Sequence, residues 1–312
     1  MKNEGSASVQ PLRRAAIAWV AAAIGIAAAM PVPAQAAAIE VPPLADIAPG
    51  ERHSGKVVWY ELVTTDLAGA KRFYAGMFGW SFRDLHGGDL DYSVALLGDR
   101  PVAGLIQRSV MAGERRQPAW LTFIAVNDLE AARRSALAQG ARILMEPRSL
   151  PRRGRQAVFA DPEGAVFAVL ASDAGDPADF LPAPGEWIWS ALLVREPVKD
   201  AGFYQSLFGY ELYTLPSKDG LDHLIFATDD LARASVNALP RTAPPDHPHW
   251  LSFVRVVDAR AMAARAVTLG GHTLVAPHLD RHGGWTAVVA DPAGAPVGLM
   301  EWSESDSEED AQ

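Results

Sequence analysis

The chain has 312 residues, 49% of them hydrophobic, enough for about two ordinary globular domains. Its formal charge of −9 argues against a nucleic-acid-binding surface or an anionic-membrane surface. It holds no cysteine, which excludes disulfides, thiol nucleophiles and thiolate metal sites and leaves stability to core burial alone. At the N-terminus, Lys2, Arg13 and Arg14 precede an apolar run of small residues over 15–30, and residues 31–36 close on Ala34-Gln35-Ala36. This is the pattern of a signal peptide over 1–36, cleaved before Ala37. The apolar run is short for a bilayer span, and an uncleaved anchor is the alternative reading. The expected location is therefore periplasmic or secreted, with no stable membrane anchor after cleavage. Residues 37–54 are Pro-rich and lack periodicity, so they read as a flexible lead-in.

The next stretch, residues 57–80 (VVWYELVTTDLAGAKRFYAGMFGW), reads as strand, corner, helix and stop. Val57, Val58, Trp59, Tyr60, Leu62 and Val63 suit a largely buried strand. Thr65 and Asp66 can cap a helix whose apolar face carries Leu67, Ala70, Phe73, Tyr74, Met77 and Phe78. Gly79 stands where a left-handed residue ends it. Strands are expected at 80–83, 92–97 and 102–107. The unit then repeats: a strand at 120–126, a helix capped by Asp128 and stopped by Gly140, and strands at 143–145, 156–160 and 166–170.

The whole pattern recurs 130 residues on: Trp59 matches Trp189, Phe73-Tyr74 matches Phe203-Tyr204, and Phe78-Gly79 matches Phe208-Gly209. Trp120-Leu121 and Trp250-Leu251, then Asp161-Pro162 and Asp291-Pro292, keep the same shift of 130. A constant shift over ordered landmarks indicates internal duplication. The expected organisation is one domain over 55–171, a linker over 172–185, a second domain over 186–302 and an acidic, disordered tail over 303–312. Each half is expected to bury its own core.

The D-L-x-x-A-x-x-F-Y-x-x-x-F-G-W segment at Asp66–Trp80 and the Asp161-Pro162-Glu163-Gly164 turn followed by Phe167 resemble the vicinal oxygen chelate superfamily. That superfamily includes glyoxalase I, bleomycin-resistance proteins and extradiol dioxygenases. The resemblance implies an α+β fold of paired βαβββ modules, four in total, each pair curling into a U-shaped sheet around a cavity. Phe73, Tyr74, Phe203, Tyr204 and the Asp-Pro turns are expected to serve the fold, because core and turn roles account for these residue types.

Metal-dependent members hold a divalent ion on strand residues seven before the corner Asp and seven after the Asp of the Asp-Pro turn. Here those positions carry Trp59, Leu121, Trp189 and Leu251, then Ala168 and Gly298, none of which ligates a metal. The remaining ligand would fall in 103–106 or 234–237, which contain no His, Asp or Glu. No metal and no cofactor are expected. Alternation places Glu61 on the same face as Trp59, pointing inward, as a proton acceptor or ligand anchor with a raised pKa, or at the rim paired with an arginine. In the second half, His249 points inward two before Leu251, and His223 is expected on a neighbouring strand. Asp246-His247-Pro248-His249 looks like a metal cluster, but its prolines favour a loop. The candidate ligand-binding residues are therefore Trp59, Glu61, Trp189 and His249, with the tryptophans as stacking surfaces for a small apolar or planar molecule. The rival expectations are an active lyase, isomerase or dioxygenase with displaced ligands, and an interaction protein whose cavities are filled by Trp59 and Trp189.

Overall fold

The first module of the computed structural model runs β1 (Val57–Thr64), α1 (Leu67–Phe78), β2 (Ser81–Leu85), β3 (Tyr92–Leu97) and β4 (Arg100–Gln107). The second runs β5 (Ala119–Ala125), α2 (Leu129–Ala138), β6 (Arg142–Leu150), β7 (Gly154–Ala160) and β8 (Val166–Ser172). The third runs β9 (Trp187–Val194), α3 (Pro197–Phe208), β10 (Glu211–Leu215), β11 (His223–Thr228) and β12 (Leu231–Ala238). The fourth runs β13 (His249–Arg255), α4 (Ala259–Thr268), β14 (His272–Leu279), β15 (Trp285–Ala290) and β16 (Pro296–Met300). The structure describes residues 40–44, 50–86, 91–108, 118–215, 223–239, 247–280 and 283–302. The expected signal peptide and acidic tail lie outside them.

The helices form where the capping chemistry predicts. Asp66 accepts from the Gly69 N–H at 2.8 Å, and Asp128 and Asp258 cap α2 and α4 in the same way. Pro197 opens α3, and left-handed Gly79 and Gly209 close α1 and α3. Each half forms one eight-stranded sheet, ordered β2-β3-β4-β1-β5-β8-β7-β6 and β10-β11-β12-β9-β13-β16-β15-β14. Two modules thus share each sheet, joined at the antiparallel pair β1–β5 or β9–β13. β6 is much longer than the expected 143–145.

The first sheet curls. Arg153, in the β6–β7 turn, lies 4.1 Å above the ring of Trp59 on β1. Four strand spacings would keep β1 and β6 about 19 Å apart in a flat sheet.

Under the helices the two halves share their cores, contrary to expectation, and the first half keeps one further cluster to itself on its other face. One buried cluster joins Tyr60, Leu62, Phe73 and Tyr74 of the first module to Val254, Ala263, Val289 and Leu299 of the fourth. Another joins Ile124, Phe159 and Phe167 of the second to Leu192, Phe203, Tyr204 and Phe226 of the third. The motif residues form the latches. Tyr204 donates to Asp161 Oδ2 at 2.9 Å and accepts from Trp250 Nε1 at 3.1 Å. Tyr74 repeats this with Asp291 (3.3 Å) and Trp120 (2.9 Å). The other oxygen of Asp161 accepts backbone N–H groups of its own turn. Each Asp-Pro turn therefore holds itself and the opposite half at once. At the centre, hydroxyls 130 residues apart meet: Tyr60 with Ser190 (3.1 Å) and Thr122 with Ser252 (3.2 Å).

Between β8 and β9 the chain is tied down along its course. Asp176 accepts from His53 N, Lys56 pairs with Asp179, and Gly185 N donates to Arg255 O. Residues 40–44, expected as part of a flexible lead-in, lie against the first sheet: Val41 is 5% exposed, and Arg153 Nε donates to Pro42 O at 2.7 Å.

Candidate functional site

Each sheet has one face under helices and one inner face. Along β1, Tyr60 and Leu62 join the helix-side core, so Trp59 and Glu61 point inward. The inner face of the first half is a packed cluster of Trp59, Tyr92, Val94, Phe123, Val158, Ala168 and Leu170, closed by Val41 with Leu44 beside it.

Glu61 is 8% exposed, and Tyr92 donates to its Oε2 at 3.1 Å. Burial pushes its carboxyl up to about 7, against the Tyr92 hydrogen bond and the positive charge of Arg153, which pull it down. The two readings of Glu61 thus meet in one place: it is buried and it has an arginine. Gly104 stands opposite Glu61 in the parallel β1–β4 pair. A Cβ there would lie 2.1 Å from the Tyr92 hydroxyl and 3.1 Å from Glu61 Oε2. Glycine is what lets Tyr92 reach the carboxylate.

Arg153 is 2% exposed, and burial lowers its pKa. Its position depends on Gly154, which has φ of 124° and whose Cβ would lie 2.1 Å from Ala171 O. The guanidinium covers the Trp59 ring, so Trp59 is a platform for arginine, not the open stacking surface expected of it. Two buried donors here have no partner of normal hydrogen-bond geometry: Arg153 Nη2 and Trp59 Nε1, the latter making at most a weak contact with the Tyr92 hydroxyl.

The second half differs at these positions. Ala191 stands in register with Ser235 as Glu61 does with Gly104, so the carboxylate is gone. His223 pairs with the strand carrying Asn237 where Tyr92 faces Ile106. A polar chain results: His223 Nδ1 meets Asn237 Oδ1, Asn237 Nδ2 donates to Ser235 Oγ (3.1 Å), and Trp189 Nε1 donates to the same oxygen (3.0 Å). Trp189 is only partly buried, and Phe253 stands opposite it, its ring over Gly298. His249 lies at the other end of this face, level with Leu193, about 13 Å along the strand from the Trp189 level. Its ring bonds His247 O at 2.9 Å, and burial lowers its pKa. The structure therefore places Trp59 with Glu61 but sets His249 apart from Trp189. Sequence reasoning missed Tyr92, Gly104, Arg153, Ser235 and Asn237. An apolar groove of about 290 Å³ at Met77, Phe78, Pro184 and Met262 is lined by none of the inner-face residues named above.

The residues do not fit a divalent cation. Among the described residues no three His, Asp or Glu side chains converge. Around Trp59 the inner face offers one carboxylate, and a buried guanidinium already supplies the positive charge beside it.

Paired βαβββ modules, duplicated and closed by Asp-Pro turns, define the class, and the chain belongs to the glyoxalase/bleomycin resistance protein/dioxygenase superfamily. The glyoxalase/bleomycin resistance protein/dioxygenase model matches residues 56–169, and a glyoxalase-like domain model matches 190–300. Among curated relatives, "Putative glyoxylase CFP32" of Mycobacterium bovis is 30% identical over 252 residues, 80% of this chain and 96% of that protein. "Anthracycline biosynthesis protein DnrV" of Streptomyces peucetius is 29% identical over 265 residues, 80% of this chain and 94% of that one. The fold is also that of a Mn(II)-bound glyoxalase from Novosphingobium aromaticivorans (TM-score 0.55, 15% identity, 80% of this chain and 82% of that one). It is shared with 2,2',3-trihydroxybiphenyl 1,2-dioxygenase of Sphingomonas wittichii (TM-score 0.56, 14% identity, 80% and 91%).

Proposed function

We propose that the protein is an exported, metal-independent binding protein for a small planar molecule, taken up on the inner face of the second half. The observation that carries this reading is the contrast between the two tryptophans. Trp59 lies under Arg153 and behind Val41, whereas Trp189 is partly exposed beside a chain of hydrogen-bonding side chains, Ser235, Asn237 and His223. An aromatic face with a few fixed polar groups suits a flat ligand bearing hydroxyl or carbonyl oxygens. Two relatives named for anthracycline biosynthesis support the planar class. The lack of three converging His, Asp or Glu side chains among the described residues supports metal independence, and the sequence pattern over 1–36 supports export. His249, at the far end of the face, would contact only the distal part of such a ligand.

The test is a calorimetric titration of the full chain with 1,8-dihydroxyanthraquinone. Trp189→Ala is expected to weaken binding about tenfold, the scale of an aromatic contact with its buried area. Trp59→Ala and added EDTA should leave the affinity unchanged. Loss of binding with EDTA, or equal binding by Trp189→Ala, would overturn the reading.

A further inference from the structure

The inner face of the first half carries chemistry that the second-half site does not use. Three polar side chains, Glu61, Tyr92 and Arg153, are buried there on an apolar floor. Buried donors are ordinarily paired, because an unpaired one forfeits its hydration without return. Yet Arg153 Nη2 and Trp59 Nε1 are buried without a partner of normal geometry. Arg153 Nη2, an orphaned donor on a guanidinium fixed over an indole ring, and the weakly engaged Trp59 Nε1 make a site for an acceptor oxygen.

One such oxygen is already in place, and it belongs to the chain itself. Arg153 Nε donates to the carbonyl of Pro42 at 2.7 Å. Val41 enters the apolar cluster formed by Trp59, Tyr92, Phe123 and Leu170, and Leu44 packs beside it. A carbonyl on the arginine with an apolar group over the floor is the arrangement a small ligand would adopt. Prolines 42 and 43 stiffen this stretch, which lowers the entropic cost of docking it.

We propose that residues 40–44 are a resident occupant of the first inner face, and that a small planar carboxylate binds there by taking the place of the Pro42 carbonyl on Arg153. The ligand gains what the strap leaves unmet, because a carboxylate reaches both Nε and Nη2 of one guanidinium, whereas a single peptide carbonyl meets only Nε. Strap and ligand exclude each other, so apparent affinity falls by the fraction of time the strap is docked. Among the described residues the second half has no counterpart of this cluster, since Ala191 replaces Glu61. The inference is thus independent of the second-half reading.

The absence of cysteine provides the test. Val41→Cys places a single thiol on the strap, and Val257→Cys, at a position 80% exposed, is the control. Labelling of Val41→Cys by Ellman's reagent is expected to be at least tenfold slower than that of the control. 1-Naphthoate, a planar carboxylate, should raise the rate towards the control in a saturable way; 1-naphthalenemethanol should not. In the Val41→Cys/Arg153→Leu double variant, 1-naphthoate should have no effect on the rate. A second variant leaves the sheet untouched: Val41→Asp should bind 1-naphthoate about tenfold more tightly than the parent chain by calorimetry, because its occupant no longer docks. Control-like labelling of Val41→Cys, no response to 1-naphthoate, an equal response without Arg153, or no gain in Val41→Asp would each overturn the proposal. A Trp189→Ala background weakens any second-half binding about tenfold and so separates it from the first-half response.

Discussion

Glu61→Gln is the most direct probe of the first-half cluster. Glutamine keeps the shape and can accept the Tyr92 hydrogen bond through its carbonyl oxygen, so the substitution removes the charge and exchanges one acceptor oxygen for an amide donor. Burial raises the Glu61 carboxyl from its ordinary 4.5 to about 7 in the folded chain. Below pH 4.5 it is protonated in both states and contributes no pH dependence. As pH rises from 4.5 to 7 the unfolded chain releases the proton first, so stability falls with pH, and above 7 the full cost remains. From these values linkage gives a cost on the order of 1 kcal/mol at pH 5 and on the order of 3 kcal/mol at pH 8. Glu61→Gln should therefore gain about 2 kcal/mol on the parent between pH 5 and pH 8. Urea unfolding of both chains at the two pH values measures this, and melting temperatures should diverge by about 2–4 °C per kcal/mol. A stability difference flat to within about 0.5 kcal/mol across that range would mean that Glu61 ionises like an exposed carboxylate, and the burial argument would fall.

Two further outcomes follow from the packing. Gly104→Ala puts a methyl group 2.1 Å from the Tyr92 hydroxyl; it should cost about 1–3 kcal/mol in urea unfolding and raise the Glu61 pKa further as the Tyr92 donor is displaced, which carboxyl carbon NMR reads directly. Residues 55–171 expressed alone should lack a cooperative unfolding transition, since Tyr60, Phe73 and Tyr74 would lose their partners Val254, Val289 and Leu299; a native-like, dispersed amide spectrum from this fragment would refute the shared core.

Much of the fold is legible because duplication and capping are local signals. Asp66, Asp128 and Pro197 announce their helices, and Gly79 and Gly209 end two of them. β6 is less legible because it is an edge strand with exposed and half-buried residues and a proline at 147, so it shows neither alternation nor a continuous apolar run. The shared core is illegible for another reason. A pattern of 130 residues shows that two units are alike, and apolar periodicity shows which faces are buried, but neither says against which unit they are buried. Tyr74 and Tyr204 read correctly as core residues, yet each donates its hydroxyl to an aspartate of the other half.

The candidate site divides along the same line. Glu61 is readable two residues from Trp59 because strand alternation puts both on one face. Its partners are not. Arg153 sits in PRRGR, and only the curl of the sheet carries that turn over β1. Gly104 and Gly154 are informative only with coordinates, where a Cβ would strike Tyr92 or the Ala171 carbonyl. Duplication conceals the functional difference as well. Trp59 and Trp189 align at the same shift, but one lies beneath an arginine and the other donates to Ser235. The exchange of Glu61 and Gly104 for Ala191 and Ser235 removes the carboxylate and adds a hydroxyl at the matching point. A common ancestor of the halves thus leaves two inner faces with one fold and different chemistry: the first charged, closed and held by its own N-terminal segment, the second uncharged at that position, with Trp189 partly exposed.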